Sequence, residues 1–300
     1  MIDCRSDAPG WHTAGCKLNL FLHINGRRPD GYHELQTYFQ LLAYGDELLV
    51  RANADGAIRV IWEPGDEDTA GCPDRPEDDL LYRAATLLRD AAVEAGRLPS
   101  SPDRQPGAEI TLRKHVPVGG GLGGGSASAA CLLNRLNHLW DIQFPPERLE
   151  AVAVRLGADV PVFIRARSAM GHGIGERLTP AALPDTPDHW LVLVPDMPAH
   201  TAGLYADPGL ERDTPKADDE RLLAGWREAR NAFEPLVLAR FPELAALRAA
   251  LAGECGFARM TGSGACLFAP VETADQGMRV GETLLQRHPA LRRYFVSRIA

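Results

Sequence analysis

A run of glycines, Gly119, Gly120, Gly121, Leu122, Gly123, Gly124 and Gly125, opens onto Ser126 and a stretch with the apolar spacing of a helix. A helix N-terminus carries unpaired N–H groups and the positive end of the helix dipole. Glycines let a bound group approach the backbone with no Cβ in the way, so the combination suits an anion such as phosphate. Ser126 stands where an N-cap is expected. Three readings compete for the run. A P-loop requires G-x-x-x-x-G-K-[ST], and no lysine separates these glycines from Ser126. A dinucleotide fingerprint, G-x-G-x-x-G, is formally met by Gly119, Gly121 and Gly124, with Asp141 near the distance of the ribose-binding acid. Asp141, however, follows the helical LNHLWD and precedes IQFPPE, whereas that acid should end a second apolar strand. A plain flexible turn is the third reading, and a nearly all-glycine heptad opening a well-formed helix counts against it.

Phosphate chemistry in this chain must rely on local charge. With 40 acidic and 32 basic side chains among 300 residues, the formal net charge is −8, which disfavours nucleic-acid partners. A hydrophobic fraction of 45% and a charged fraction of 24% describe an ordinary globular protein large enough to bury a core in two modest domains. Six cysteines show no C-x-x-C spacing and no histidine pair has zinc-like spacing, so reduced thiols are expected and metal ligands remain unassigned. The first residues lack the basic start and apolar stretch of a signal peptide, and no segment approaches the roughly 20 apolar residues of a membrane span. The expectation is a cytoplasmic enzyme acting on a small molecule, with no nucleic-acid or membrane partner and no obligate protein partner.

The elements that must position the run follow from periodicity. Cys16–Asn25 alternates Lys17, Asn19 and Phe21 with Leu18, Leu20 and Leu22, the period of a half-buried strand. A turn is expected at Arg28-Pro29-Asp30-Gly31, and strands at 47–51, 58–62, 109–116, 190–195, 265–269 and 294–299. Helical spacing marks 80–94, 129–140, 146–156 (stopped by Gly157), 218–239 and 242–251. Residues 63–79 and 96–107 read as polar loops. Strands and helices recur without strict βαβ alternation, so the fold class is α+β in two lobes, 1–165 and 166–300.

Taken together the motifs resemble a known family. VPVGGGLGGGSASAA is similar to the phosphate loop of the GHMP kinases, which include galactokinase, homoserine kinase and mevalonate kinase. KLNLFLHINGRRPDGYHELQT, LGADVPVF and RMTGSGACLF match, in order and spacing, the branch that phosphorylates 4-diphosphocytidyl-2-C-methyl-D-erythritol. The resemblance implies ATP as co-substrate with Mg²⁺, transfer to the acceptor's 2-hydroxyl in the non-mevalonate route to isoprenoid precursors, and a cytidine-diphosphate-linked polyol as substrate. It also implies a GHMP kinase fold with an N-terminal ATP-binding lobe like ribosomal protein S5 domain 2 and a ferredoxin-like C-terminal substrate lobe.

Roles carried over by the resemblance are specific. Asp159, in Gly157-Ala158-Asp159-Val160-Pro161, would take the hydroxyl proton, with Lys17 as its cationic neighbour. Without the resemblance, Asp159 reads equally as an N-cap before Pro161, and Lys17 as a solvated strand lysine. Asn19 would touch the acceptor, Tyr32 and His33 the cytosine, and Tyr205 its other face, with Thr201 nearby. Lys114 and the run Gly119–Ser126 would serve the nucleotide, and the turn Thr261-Gly262-Ser263-Gly264 would brace the phosphates. One departure stands out: where this branch commonly reads G-S-S-N-A-A, the chain has Ala127 and Ser128.

Overall fold

The structure, a computed structural model, describes residues 10–69, 71–197 and 201–300, with the backbone alone at 201 and 202. In chain order its strands are β1 (Trp11–Thr13), β2 (Cys16–Arg27), β3 (His33–Leu42), β4 (Glu47–Asn53), β5 (Ile58–Pro64), β6 (Gly107–Lys114), β7 (Ala169–Gly173), β8 (Arg177–Pro180), β9 (His189–Pro195), β10 (Arg259–Met260), β11 (Leu267–Val271) and β12 (Leu291–Arg298). Its α-helices are α1 (Leu80–Glu94), α2 (Gly124–Leu139), α3 (Pro146–Ala153), α4 (Val160–Ile164), α5 (Thr201–Leu204), α6 (Asp219–Ala224), α7 (Glu234–Arg240), α8 (Pro242–Cys255) and α9 (Ala274–Arg287). None of them is long and apolar enough to cross a membrane.

The architecture is α+β and divides into two compact units that interleave along the chain. The first holds the described residues up to Cys16, Ala43–Val118 and Gly123–Arg167; the second holds Lys17–Leu42, Gly119–Leu122 and Ser168–Ala300. A single boundary at 165/166 therefore does not describe them. β2 and β3 belong with the later residues because β3 pairs antiparallel with β7, Tyr38 opposite Met170. The glycine run is itself divided after Leu122.

In the first unit the sheet order is β1-β4-β6-β5, antiparallel except for the β5–β6 pair. A parallel pair needs a crossover, and α1 lies within it. Leu81, Ala84, Ala85, Leu88, Ala91 and Ala92 give α1 one buried stripe. Asp79 caps the helix, its Oδ1 accepting from Leu81 N at 2.7 Å, while its Oδ2 accepts from Trp62 Nε1 on β5 at 2.8 Å. This cap contributes about 1 kcal/mol and also ties the helix start to the sheet. The α2 helix begins earlier than its apolar pattern suggests, with Gly123 at the N-cap position, so Ser126 sits inside the first turn and is not the cap. The α3 helix ends at Ala153 rather than 156, and Gly157 does not take the left-handed conformation of a helix stop.

The second unit has two four-stranded sheets, β2-β3-β7-β8 and β10-β11-β9-β12. The latter is antiparallel throughout, and its strands and flanking helices run β9, α8, β10, β11, α9, β12. That sequence and strand order are the ferredoxin-like arrangement. Leu191, Leu193, Leu244, Leu247, Leu251, Met260, Leu267 and Leu284 form its core.

The β2 strand is buried on both faces from Cys16 to Ile24, not on one as its alternation suggests. Its polar face is covered by the 259–264 segment: the Asn19 N–H donates to Thr261 Oγ1 at 2.9 Å, and Arg259 donates to the Leu20 carbonyl. Arg259 also donates to Trp226 O and Arg227 O at 2.9 and 2.7 Å. Burial pushes its pKa down to about 10, which leaves it charged at neutral pH. The expected helix 218–239 is two short helices, α6 and α7, because Asn231 bridges to Leu22 of β2 between them. Among the described residues Cys16, Cys72, Cys255 and Cys266 are reduced thiols.

The α9 helix packs on β12 through glycines, and a Cβ added at Gly281 would lie 2.2 Å from Tyr294 Cδ2 and 2.6 Å from its Cγ. Helix propensity alone favours Gly281→Ala by about 1 kcal/mol. The overlap costs about 1–3 kcal/mol and should win. Thermal unfolding is expected at a lower temperature than for the wild type, and a raised midpoint would contradict this packing.

Candidate active site

The glycine run has the backbone of an anion cradle. Gly119, Gly121 and Gly123 adopt φ of 74°, 80° and 69°, while Gly120 and Leu122 between them do not take positive φ. Such alternation turns successive N–H groups toward one side, forming a concave nest for an anion. The nest runs directly into α2, where Gly123 has no side chain to cap the first-turn N–H groups. Glycine at 121 is required twice over, by its left-handed φ and because a Cβ there would lie 2.2 Å from the Thr261 carbonyl oxygen.

Within the second unit, Lys17, Asn19, Gly120–Leu122 and the turn 261–264 come together. Lys17 is buried rather than solvated. Its backbone N–H donates to Leu122 O at 2.9 Å, and its Nζ donates to Gly121 O at 2.9 Å and to Asn19 Oδ1. A cation is thereby held against the middle of the run. Asn19 is engaged at both ends of its amide, since its Nδ2 also donates to Thr37 Oγ1 at 2.8 Å. The turn contacts the run directly: Cys266 N donates to Gly120 O at 3.3 Å, and Thr261 Oγ1 reaches Gly121 O at 3.4 Å. Asn231 fixes the turn from below, donating to Met260 O and Gly262 O, both at 2.8 Å. Gly262 and Gly264 supply its left-handed residues.

In the first unit Lys114 ends β6 as a buried lysine, its Nζ 2.6 Å from Asp46 Oδ2. Ser128 is buried as well and donates to the same oxygen at 2.9 Å, while neighbouring Ala127 packs in the core. A Cβ on Gly124 would lie 2.7 Å from Val116 Cβ and 3.3 Å from Lys114 Nζ, so the helix starts on top of these groups. Asp159 is half-buried at the start of α4, and its carboxylate makes no capping hydrogen bond to that helix. Capping therefore does not account for an aspartate at this position.

The tight turn before β3 presents aromatic groups. Gly31 is left-handed with φ 88°, Arg28 N donates to Tyr32 O at 2.7 Å, and Tyr32 is 60% exposed. His33 is buried and stacks on Tyr205, with ring centroids 5.1 Å apart and an interplanar angle of 27°. Tyr205 in turn meets Phe233 edge-on at 4.9 Å, and Arg212 donates to the Tyr205 carbonyl at 2.9 Å. The side chain of Thr201 lies outside the described residues.

Comparison with known proteins identifies the family. Residues 79–167 match the GHMP kinases N terminal domain and 218–290 the GHMP kinases C terminal domain. The chain is 44% identical over 283 residues to a 4-diphosphocytidyl-2-C-methyl-D-erythritol kinase of Pseudomonas aeruginosa (strain LESB58), covering 92% of each chain. The chain belongs to this family of GHMP kinases. A crystal structure of 4-(cytidine 5'-diphospho)-2C-methyl-D-erythritol kinase is similar with a TM-score of 0.75 and 31% identity, over 96% of this chain and 98% of the other. A homoserine kinase from Cytophaga hutchinsonii ATCC 33406 shares the fold, with a TM-score of 0.66 and 18% identity, over 87% and 89% of the two chains.

Several groups in this GHMP kinase were not legible as site elements. Asp46 stands alone after Tyr44-Gly45, and Asn231 lies in a stretch that reads as helix; neither has a spacing that marks it. Thr37 and Thr261 could be tied to Asn19 only once β2 was seen to be covered.

Burial, reinforced by the Arg212 and Arg27 charges, holds the His33 imidazole pKa below the ordinary 6.5. The folded state thus binds this proton less readily than the unfolded chain does. The stability contribution is present above pH 6.5 and is lost as the pH falls through the lowered value. Imidazole NMR should find His33 titrating below 6.5 in the free protein; a midpoint at or above 6.5 would contradict this environment.

Proposed function

We propose that this GHMP kinase transfers the γ-phosphoryl group of ATP to the 2-hydroxyl of 4-diphosphocytidyl-2-C-methyl-D-erythritol, a step in the non-mevalonate supply of isoprenoid precursors. The observation that carries the reading is 44% identity to a kinase named for that acceptor, over 92% of each chain. Homoserine and mevalonate kinases share the fold at 18% and 11% identity, which does not extend to their acceptors.

Phosphoryl transfer asks a protein chiefly to position the reactants and stabilise charge on the transferred group. In this reading the nest at Gly119–Gly123 and the first turn of α2, including Ser126, hold the ATP phosphates through backbone N–H groups. Lys17, anchored by Asn19 and the Gly121 carbonyl, offsets charge that develops on the equatorial oxygens. Asp159 accepts the proton of the acceptor hydroxyl as the oxygen attacks phosphorus. Asn19 touches the acceptor and also steadies Lys17, whose Nζ donates to its Oδ1.

Mg²⁺, expected with ATP, would supply positive charge that offsets the charge on the phosphates. Such ions usually need only one or two carboxylates beside the phosphates. Among the described residues no group of three or more His, Cys, Asp or Glu forms a cage for one. Tyr32, exposed on its turn, takes one face of the cytosine ring, and His33, neutral above its lowered pKa, meets the ring's edge. Tyr205, already stacked on His33, adds an aromatic wall, with Thr201 beside it. Lys114 serves the nucleotide from beneath the loop.

Product analysis by phosphorus NMR with ATP and each acceptor tests the reading. Turnover of the cytidine-linked polyol, with none of homoserine or mevalonate, is expected; turnover of a non-cytidine acceptor alone would overturn it. Asp159→Asn should lower kcat by about 10²–10⁴ with little change in KM, as for a lost general base. Near-wild-type kcat would remove Asp159 from the chemistry.

A further inference from the structure

We infer that Asp46 is a positioning residue for ATP: it fixes the two chain segments that flank the glycine run, and Ser128 is its latch on the helix side rather than a nucleotide ligand. The inference deepens the kinase reading and rests on it. Asp46 is fully buried and its carboxylate accepts four hydrogen bonds. Oδ1 takes the backbone N–H groups of His115 and Val116, at 2.9 and 2.8 Å, on the segment entering the run. Oδ2 takes Lys114 Nζ at 2.6 Å and Ser128 Oγ at 2.9 Å, the latter on the second turn of α2 beyond the run. One side chain thus sets the separation between the strand end and the helix start, and so the span that residues 117–123 must bridge.

The aspartate is itself anchored. Its carbonyl oxygen accepts from Ala14 N at 2.8 Å, and Gly45 beside it packs so closely that a Cβ there would lie 2.1 Å from Gly15 N. Its charge also has a defined task. Lys114 lies under Gly124, where a bare buried cation would be costly, and Asp46 supplies its counter-charge. The departure at Ala127-Ser128 acquires a physical meaning here. Both side chains turn into the core, so the nucleotide receives only backbone from this stretch, and the serine hydroxyl keeps that backbone in place.

A role confined to stability would affect both substrates alike, whereas a role in setting the loop affects ATP alone. Titration calorimetry with a non-hydrolysable ATP analogue and Mg²⁺, in the absence of acceptor, separates the two. Ser128→Ala, a small deletion that leaves the charge pair intact, should raise the Kd for the analogue by about 3- to 10-fold, the scale of one buried hydrogen bond. KM for the cytidine-linked acceptor should stay within about twofold, since no binding group for it is touched. Asp46→Asn, in which one oxygen becomes an amide that cannot accept from Lys114 or Ser128, should raise the Kd further. If Asp46→Asn does not fold, the serine variant alone carries the test. Unchanged analogue affinity in Ser128→Ala, or an equal rise for nucleotide and acceptor, would overturn the inference while leaving the kinase reading intact. Failure of the wild-type protein to bind the analogue would overturn the kinase reading itself.

Discussion

A backbone that alternates between left- and right-handed residues makes no regular hydrogen bonds of its own, so the nest at Gly119–Gly123 depends on what holds its two ends. Glycine makes the conformation accessible but does not fix it, and ordering so permissive a stretch costs conformational entropy at every residue. The structure supplies the fixing at each end. In the second, Lys17 and the Thr261 turn take up the Gly120, Gly121 and Leu122 carbonyls, leaving the N–H side of the run for an anion. In the first, Asp46 holds the residues immediately before the run and the helix after it. In the proposed kinase reading, preorganisation of this kind would let phosphate bind without reordering the loop each time.

The same constraint explains why several charged groups are buried around the run. Lys17 finds a carbonyl and an amide oxygen, Lys114 a carboxylate, and Arg259 three carbonyls. Removing a charge from water costs several kcal/mol unless hydrogen bonds replace the hydration shell, so burial of this kind is a poor way to gain stability. It is an effective way to fix a cation's position. In a chain with net charge −8, the proposed phosphate binding would depend on a few cations and N–H groups placed with care.

Much of this was legible in the sequence where a local rule operates. The α1 helix was read over its full range from its apolar period, and the Asp79 cap starts it where that period begins. The positive-φ backbone of the glycine run and the helix after it were legible because glycine freedom and a following helix are both local features. Its neighbours in space were not so legible. The alternation in β2 suggested one wet face, since nothing local announces that residues 259–264 cover it. Ser126 was placed as a cap because the apolar pattern of α2 starts late, whereas the helix begins at glycines that carry no pattern at all. The β7–β8 hairpin, built from AMGHG and RLTP, was missed because neither segment is rich in the β-branched and aromatic residues that mark strands. Asp46 was invisible for a related reason: its partners lie 68 to 82 residues away in the chain.

The central claim is that the run from Gly119 to Ser126 binds the nucleotide phosphates through its own N–H groups, in a conformation already set in the free protein. Backbone amide NMR of the protein titrated with a Mg²⁺-loaded, non-hydrolysable ATP analogue tests this most directly. The account expects the amides of Gly119–Ser126 to shift strongly with nucleotide and little with a cytidine nucleotide alone, and to be rigid on the fast timescale before either is added. Amides of the run that stay unmoved at saturating analogue, or that are mobile until it binds, would contradict it.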